Sequence, residues 1–380
     1  MTETVATHLE KVGPSGNVLV ERRGNAGFIT LNRPKALNAL SLQMVRDLLG
    51  ILRAWRDDPE VLLVAIRGTN KIGRPGTPES LFGGFCAGGD IRFFYQAALV
   101  GDAALEDFFT EEYTLNHLIQ TYPKPYVAFM DGVVMGGGMG LSQGARLRIV
   151  TERTRMAMPE TNIGLFPDVG GGYFLSRCPG RVGEYLALTG EVIGADDALS
   201  YGLADVKLEA ASLPALWAEL GEHHLASAAQ VDQWIATKLI AVYAGSICAT
   251  GQIDAYFSLL RVKHIVDALE KSEDRWALKT AATLRKRSPL MLHVVLEQIR
   301  RARGMSLADD LRMERDMVHQ CFYLRPGVES ETVEGIRALA VDKDYKPQWK
   351  PARIEDVKPG MADAFFISPW ETHTHPLRDL

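Results

Sequence analysis

Cysteine is scarce and scattered: Cys86, Cys178, Cys248 and Cys321 are the four in 380 residues, with no CxxC pair and no tight Cys/His cluster. That pattern excludes a zinc ribbon or a disulfide framework and points to a reducing compartment. Long apolar runs are missing as well. Nothing reaches the roughly 18 consecutive residues a membrane helix needs. The opening MTETVATHLEKVG has neither the apolar stretch of a secretory signal nor the arginines of a transit peptide. The expectation is a cytoplasmic protein with no membrane contact; a mitochondrial-matrix chain whose leader had been removed would read the same. Net charge is low, at -5, which argues against a general nucleic-acid partner. A GxGxxG fingerprint and a Walker loop are both absent, so no nucleotide cofactor is expected except as part of a coenzyme-borne substrate.

What is present is an ordinary globular composition, 47% hydrophobic and 23% charged, in a chain long enough for a sizeable core. Residues 18–21 and 28–31 are β-type runs flanking Gly24-Asn25, which predicts a hairpin. Ser41 is a helix cap, and Leu42, Val45, Leu48, Leu49 and Leu52 recur at helical spacing until Asp57-Asp58-Pro59. The stretch 61–66 (VLLVAI) is apolar on both faces, as a buried strand is. A Gly/Pro-rich loop, 68–84, then delivers FCAGGD at 85–90; a helix follows over 105–120, another buried strand over 126–130, and Gly136 to Gly138 open a further helix. The opening is α/β. Beyond Gly183 the segments 183–189, 195–201, 213–224, 230–243, 253–270, 274–287, 289–303 and 306–323 all read as helices. The expected organisation is a polar leader (1–16), a core (17–215), a helical region (216–356) and a tail (357–380).

Chemistry concentrates between Pro125 and Gly172. Glycines after a strand let a ligand approach the backbone, and an exposed N–H at a helix start favours developing negative charge. The turns FCAGGD and MGGG share this grammar and are paired as donors for a thioester oxyanion; a plain tight turn is the alternative for each. Glu160, after Pro159 and the apolar Met156-Ala157-Met158, is placed for acid/base work at a raised pKa, or for a local salt bridge. Asp168 is a second acid or the cap of a short helix at 173–176, and Glu112 is by default a solvated helix residue. Gly140-Leu141-Ser142-Gln143-Gly144 matches a nucleophile elbow, but the glycine turn precedes it by one helical turn. His223, His224, His264, His293 and His319 all fall in the helical half, without the loop context of a base. Cys86 reads as a small buried residue, and His373-Thr374-His375 as an adventitious metal site, so no metal is expected.

Together GFITLNRPKALNAL (27–40), FCAGGDI (85–91), KPYVAFMDGVVMGGGMGLS (124–142) and MPETNIGLFPDVGGGYFLSR (158–177) resemble the crotonase, or enoyl-CoA hydratase/isomerase, superfamily. The resemblance implies a spiral of ββα units followed by an extended helical C-terminal region, with an acyl-CoA thioester held by the N–H groups of Ala87 and Gly137. Hydratases usually carry one Glu two residues after the glycine triplet and another in the Pro-Glu motif. Here the first position is Gly140. The chain is more similar to the 3-hydroxyisobutyryl-CoA hydrolases of valine breakdown, through Glu-Glu-Tyr at 111–113, PETNIGLFPDVGGGYFL at 159–175, SPLMLHVVLEQIRRA at 288–302, EGIRALAVDKD at 334–344 and KPQWKPA at 346–352.

That resemblance implies Glu160 as main catalytic carboxylate, Asp168 beside it, and Glu112, Gly137, Gly88 and Asp90 in the substrate site. It implies no cofactor, coenzyme A being part of the substrate. A hydratase/isomerase and a non-catalytic CoA- or RNA-binding homologue remain the alternatives. Two arrangements stay open for the C-terminal helices: assembly into a homo-oligomer, or folding back over the chain's own active site.

Overall fold

The computed structural model describes residues 10–12, 15–72, 77, 80–222, 227–240 and 250–380. Its main sheet has seven strands in the order β1 (Glu10–Val12), β2 (Val18–Arg23), β3 (Ala26–Leu31), β4 (Leu63–Gly68), β5 (Tyr126–Met130), β7 (Leu147–Thr151) and β9 (Val206–Leu208). β2 and β3 form the expected antiparallel hairpin, whereas β3, β4, β5, β7 and β9 pair in parallel. The polar leader is not wholly outside the fold, since its residues 10–12 add an antiparallel edge strand.

A smaller second layer runs beside this sheet. β6 (Val133–Met135) pairs with β8 (Arg155–Ala157), and single bridges join Cys86 to Val134, Leu40 to Gly89 and Met156 to Ile193. Successive turns of the chain thus give one long strand to the first layer and a short extended piece to the second, which is the ββα spiral. The two glycine turns lie where the pieces of the second layer end.

Alternation along the central strands explains why both faces are apolar. Val64 and Ile66 of β4 face one core with α1 (Leu42–Asp57) and α3 (Ala104–Gln120); Leu63 and Ala65 face the other, roofed by Leu213, Leu216, Trp217 and Leu220 of α8 (Leu213–Glu222). Ser41 caps α1, its hydroxyl accepting from Met44 N–H at 3.3 Å.

The helical half contains α6 (Val182–Thr189), α7 (Ala195–Ser200), α8, α9 (Ala228–Ile240), α10 (Gly251–Phe257), α11 (Val262–Glu270), α12 (Arg275–Leu284), α13 (Pro289–Ala302) and α14 (Leu307–Tyr323). The single helix expected over 253–270 is instead two. Arg261 is extended (φ -130°, ψ 143°), and the Arg300 guanidinium takes the carbonyls of Leu259 and Leu260 at 2.7 Å each, rewarding the break. His223, His224, Cys248 and the end of the expected 230–243 helix lie outside the described residues. After α14 come α15 (Glu331–Ile336), a π-helical turn (Arg337–Val341) and a tail of short 3-10 turns. The tail is docked: Phe365 and Leu377 are buried, and Arg312 Nε donates to Leu377 O at 3.1 Å.

One side chain ties the two layers near the site. Asn38 is fully buried with φ +56°, a conformation asparagine tolerates better than most. Its amide donates to the carbonyls of Thr69 (2.8 Å), Phe85 (3.2 Å) and Gly84, and its Oδ1 accepts from Arg33 N–H at 2.8 Å. Asn38→Ala strands these carbonyls, so urea unfolding is expected to show a loss of about 3 kcal/mol; a loss below about 1 kcal/mol would contradict this role.

Candidate active site

Three helices or turns converge on one cavity of about 190 Å³, lined by Ala87, Gly88, Gly89, Gly136 and Gly137 on one wall and by Glu112, Glu160 and Asp168 on the other. The sequence put Glu112 on a solvated helix face by default. It is in fact 2% exposed, on the inner face of α3. Glu160 opens a 3-10 turn (Glu160–Ile163) that Gly164, at φ +65°, closes. Asp168 precedes α5 (Gly171–Leu175) but does not cap it; it accepts a hydrogen bond from Tyr113 Oη at 2.9 Å. Gly88, Gly137, Glu112, Glu160 and Asp168 are therefore brought together as expected.

The glycines are required by the acids. A methyl group on Gly136 would lie 2.8 Å from Glu160 Oε1, and one on Gly137 would lie 2.5 Å from Glu112 Oε1. Gly137 starts α4 (Gly137–Gly140), behind Gly136 at φ +49°, and its N–H has no acceptor among the described residues. The FCAGGD turn approaches closely, because a Cβ on Gly88 would sit 3.4 Å from Gly137 N.

Two expectations for that turn need correction. Ala87 N–H donates to Leu37 O at 3.0 Å and is not free. The bridge to Leu40 uses Gly88 O and Asp90 N, so the N–H of Gly89 between them turns to the opposite side and is unpaired. The Gly89 N–H thus lies at the cavity without a backbone acceptor among the described residues. Asp90 does not line the cavity either: it caps α2 (Ile91–Val100) through Phe93 N–H and pairs with Arg33 at 2.8 Å.

The cavity lining includes no Lys, Arg or His. Burial is accordingly the leading influence on all three acids. Glu112 is pushed well above the usual carboxylate range by burial and by the charges of Asp168 and Glu160; Glu160 is pushed well above it by burial and Asp168. Burial raises Asp168 to about 7, restrained by the Tyr113 hydrogen bond. Glu112 Oε1 and Glu160 Oε2 make no hydrogen bond among the described residues, which leaves them for a substrate hydroxyl or water.

Other nucleophiles fall away. Ser142 is fully buried inside a turn, donating to Gly138 O at 2.9 Å, and burial pushes the Cys86 thiol up to about 12. His375 is buried, its Nδ1 accepting from Leu377 N–H, and no group of three or more metal-ligating side chains occurs among the described residues.

Several site residues carried no legible role in the sequence. Tyr113 is the neighbour of Glu112 in Glu-Glu-Tyr, yet only the folded loop shows its partner. Leu339, from the π-helical turn, lines the cavity, so the C-terminal region folds back over its own site. Gly140 is walled in: a Cβ there would lie 2.7 Å from Asn116 Nδ2 and 2.7 Å from Val169 Cβ. Val169 itself adopts φ +57°, a strained conformation for a β-branched residue.

The chain is similar to known proteins along most of its length. The enoyl-CoA hydratase/isomerase model matches residues 26–366. The mitochondrial 3-hydroxyisobutyryl-CoA hydrolase of Gallus gallus is 39% identical over 93% of this chain and 89% of its own length. The probable 3-hydroxyisobutyryl-CoA hydrolase 2 of Arabidopsis thaliana is 41% identical over 92% of this chain and 91% of its own. Among solved structures, an enoyl-CoA hydratase from Rhodobacter sphaeroides superposes with TM-score 0.80 at 35% identity, over 93% of this chain and 98% of that one. From the match along nearly its whole length and the shared fold, the chain belongs to the enoyl-CoA hydratase/isomerase family.

Proposed function

We propose that this chain is an acyl-CoA thioester hydrolase acting on a short 3-hydroxyacyl-CoA, 3-hydroxyisobutyryl-CoA of valine catabolism first. The observation that carries the reading is Gly140. The place of the hydratases' first carboxylate is filled by Asn116 and Val169, while Glu112 and Asp168 bring acids into the cavity from other elements. Identities of 39–41% to curated hydrolases of that thioester support the same substrate.

In this mechanism the thioester oxygen accepts from the N–H groups of Gly137 and Gly89, each such donor contributing about 3 kcal/mol to the transition state. Glu160 in its ionised form has two routes. As nucleophile it attacks the carbonyl carbon; the tetrahedral oxyanion collapses, the C–S bond breaks, CoA leaves as thiolate, and water opens the mixed anhydride. As general base it takes the proton of a water that attacks instead. Asp168, held by Tyr113, and Glu112 receive the 3-hydroxyl or the water. The chemistry is proposed without a cofactor, since thiolate is a competent leaving group. We assign the chain to a reducing compartment, the cytoplasm included; Cys86 and Cys321 are buried thiols, while several animal relatives are named as mitochondrial.

Incubation with 3-hydroxyisobutyryl-CoA should release free thiol, and crotonyl-CoA should keep its enoyl absorbance; hydration without thiol release would overturn the assignment. Glu160→Ala should lower kcat by about 10³-fold, whereas Ser142→Ala should leave kcat within about twofold, both read by thiol release. Single turnover in heavy-oxygen water bears on the routes: unlabelled product acid on the first turnover marks an anhydride opened at the Glu160 carbonyl, and labelled acid argues against that route.

Stability and activity should respond oppositely to pH. Asp168 at about 7 lies above its free value of about 3.9, so the fold binds more protons than the unfolded chain and loses stability as pH rises from about 4 to 7. Glu160 must ionise to react, so kcat rises over the same direction. Thermal melting between pH 5 and 8 should show a falling Tm, and a smaller fall in Asp168→Asn; an unchanged slope in that variant would refute the assignment.

A further inference from the structure

A second pair of buried acids lies behind Asp168, on the far side of its loop. Asp310 and Glu314 stand one turn apart on α14, both fully buried. Glu314 Oε2 accepts from Gly170 N–H at 2.7 Å and Oε1 from Gly172 N–H at 2.9 Å; Asp310 Oδ2 accepts from Tyr173 N–H at 2.7 Å. Gln298 of α13 completes the cluster, its Nε2 donating to Pro167 O at 2.7 Å and to Glu314 Oε1 at 3.2 Å.

The loop bracketed in this way is Pro167 to Tyr173, with Asp168 inside it. Gly170 is a glycine for its φ of +84°, and Gly172 because an added Cβ would collide with Asp310 Oδ1. The PDVGGG motif is thus a nest of N–H groups filled by the protein's own acids. Arg177 is the cation that acts on Asp310, and Asp310, then Asp168, are the acids that act on Glu314; burial pushes Asp310 up to about 7 and Glu314 well above the usual range, so the pair retains a proton near neutrality.

Resting on the hydrolase reading, we infer that Asp310 and Glu314 are positioning residues for the thioester reaction: through the N–H groups of Gly170, Gly172 and Tyr173 they fix the loop that presents Asp168 to the substrate. The strained φ of Val169 needs such an anchor, since a β-branched residue in the left-handed region relaxes unless both its flanks are held.

The two acids are not equivalent. Both oxygens of Glu314 accept backbone N–H groups, so an amide must turn an NH₂ on one of them. Asp310 uses one oxygen only, and Oδ1 makes no hydrogen bond, so an asparagine fits with its NH₂ on that side. Glu314→Gln should lower kcat for 3-hydroxyisobutyryl-CoA by about tenfold or more with KM within about twofold, and Asp310→Asn should keep kcat within about threefold. Amide hydrogen exchange over 168–175 should accelerate in Glu314→Gln and not in Asp310→Asn. A folded Glu314→Gln with wild-type kcat and exchange overturns the inference. Should Glu314→Gln not fold, Gln298→Met decides: a severalfold fall in kcat at constant KM supports the anchoring, an unchanged kcat refutes it. A wild type that releases no thiol would instead sink the functional reading, and the exchange measurement, which needs no substrate, then decides the positioning alone.

Discussion

The active-site half of this molecule depends on one helix, α14, and on the contrast between two neighbours in it. Glu314 reaches toward the PDVGGG loop with hydrogen bonds of 2.7 and 2.9 Å, while Arg315, 1% exposed at its side chain, reaches the other way to Glu106 at 2.5 Å and Thr110 at 3.0 Å on α3. Asp168 rides on the first of these elements and Glu112 on the second. A third tie follows directly: Ser330 caps α15 and donates to Cys321 O at the end of α14, and Thr332 Oγ1 donates to Gly164 O at 2.7 Å, beneath the turn that carries Glu160. Each of the three site acids is backed by the C-terminal region.

That backing bears on an electrostatic problem. Three carboxyls in a cavity without a basic side chain repel one another once ionised, and nothing nearby offsets them except hydrogen bonds such as the one from Tyr113. Packing alone would let the loops spread. Hydrogen bonds from α14 and α15, made by ionisable and hydroxyl side chains at fixed helical spacing, hold the acids at close range instead.

Much of this was legible in the sequence, for reasons that differ by element. The hairpin, the parallel strands and α1 followed from periodicity and turn chemistry. Gly88, Gly137, Glu112, Glu160 and Asp168 gathered as their motifs implied. Ala87 and Asp90 failed for physical reasons: the Ala87 N–H is taken by Leu37 O, and Asp90 caps α2 and pairs with Arg33, partners that sequence does not state. Likewise, the break at Arg261 is set by a distant guanidinium, and Leu339 reaches the cavity only through a long-range fold. Tyr113, Asp310 and Glu314 were written in the chain, but their partners are 55, 137 and about 140 residues away.

The walled-in Gly140 has a consequence for how such an enzyme can arise. Placing a glutamate there collides with Val169, and Val169 holds its backbone only because the loop is anchored from α14. A change at Gly140 is therefore coupled, through Val169 and its loop, to a helix some 140 residues downstream.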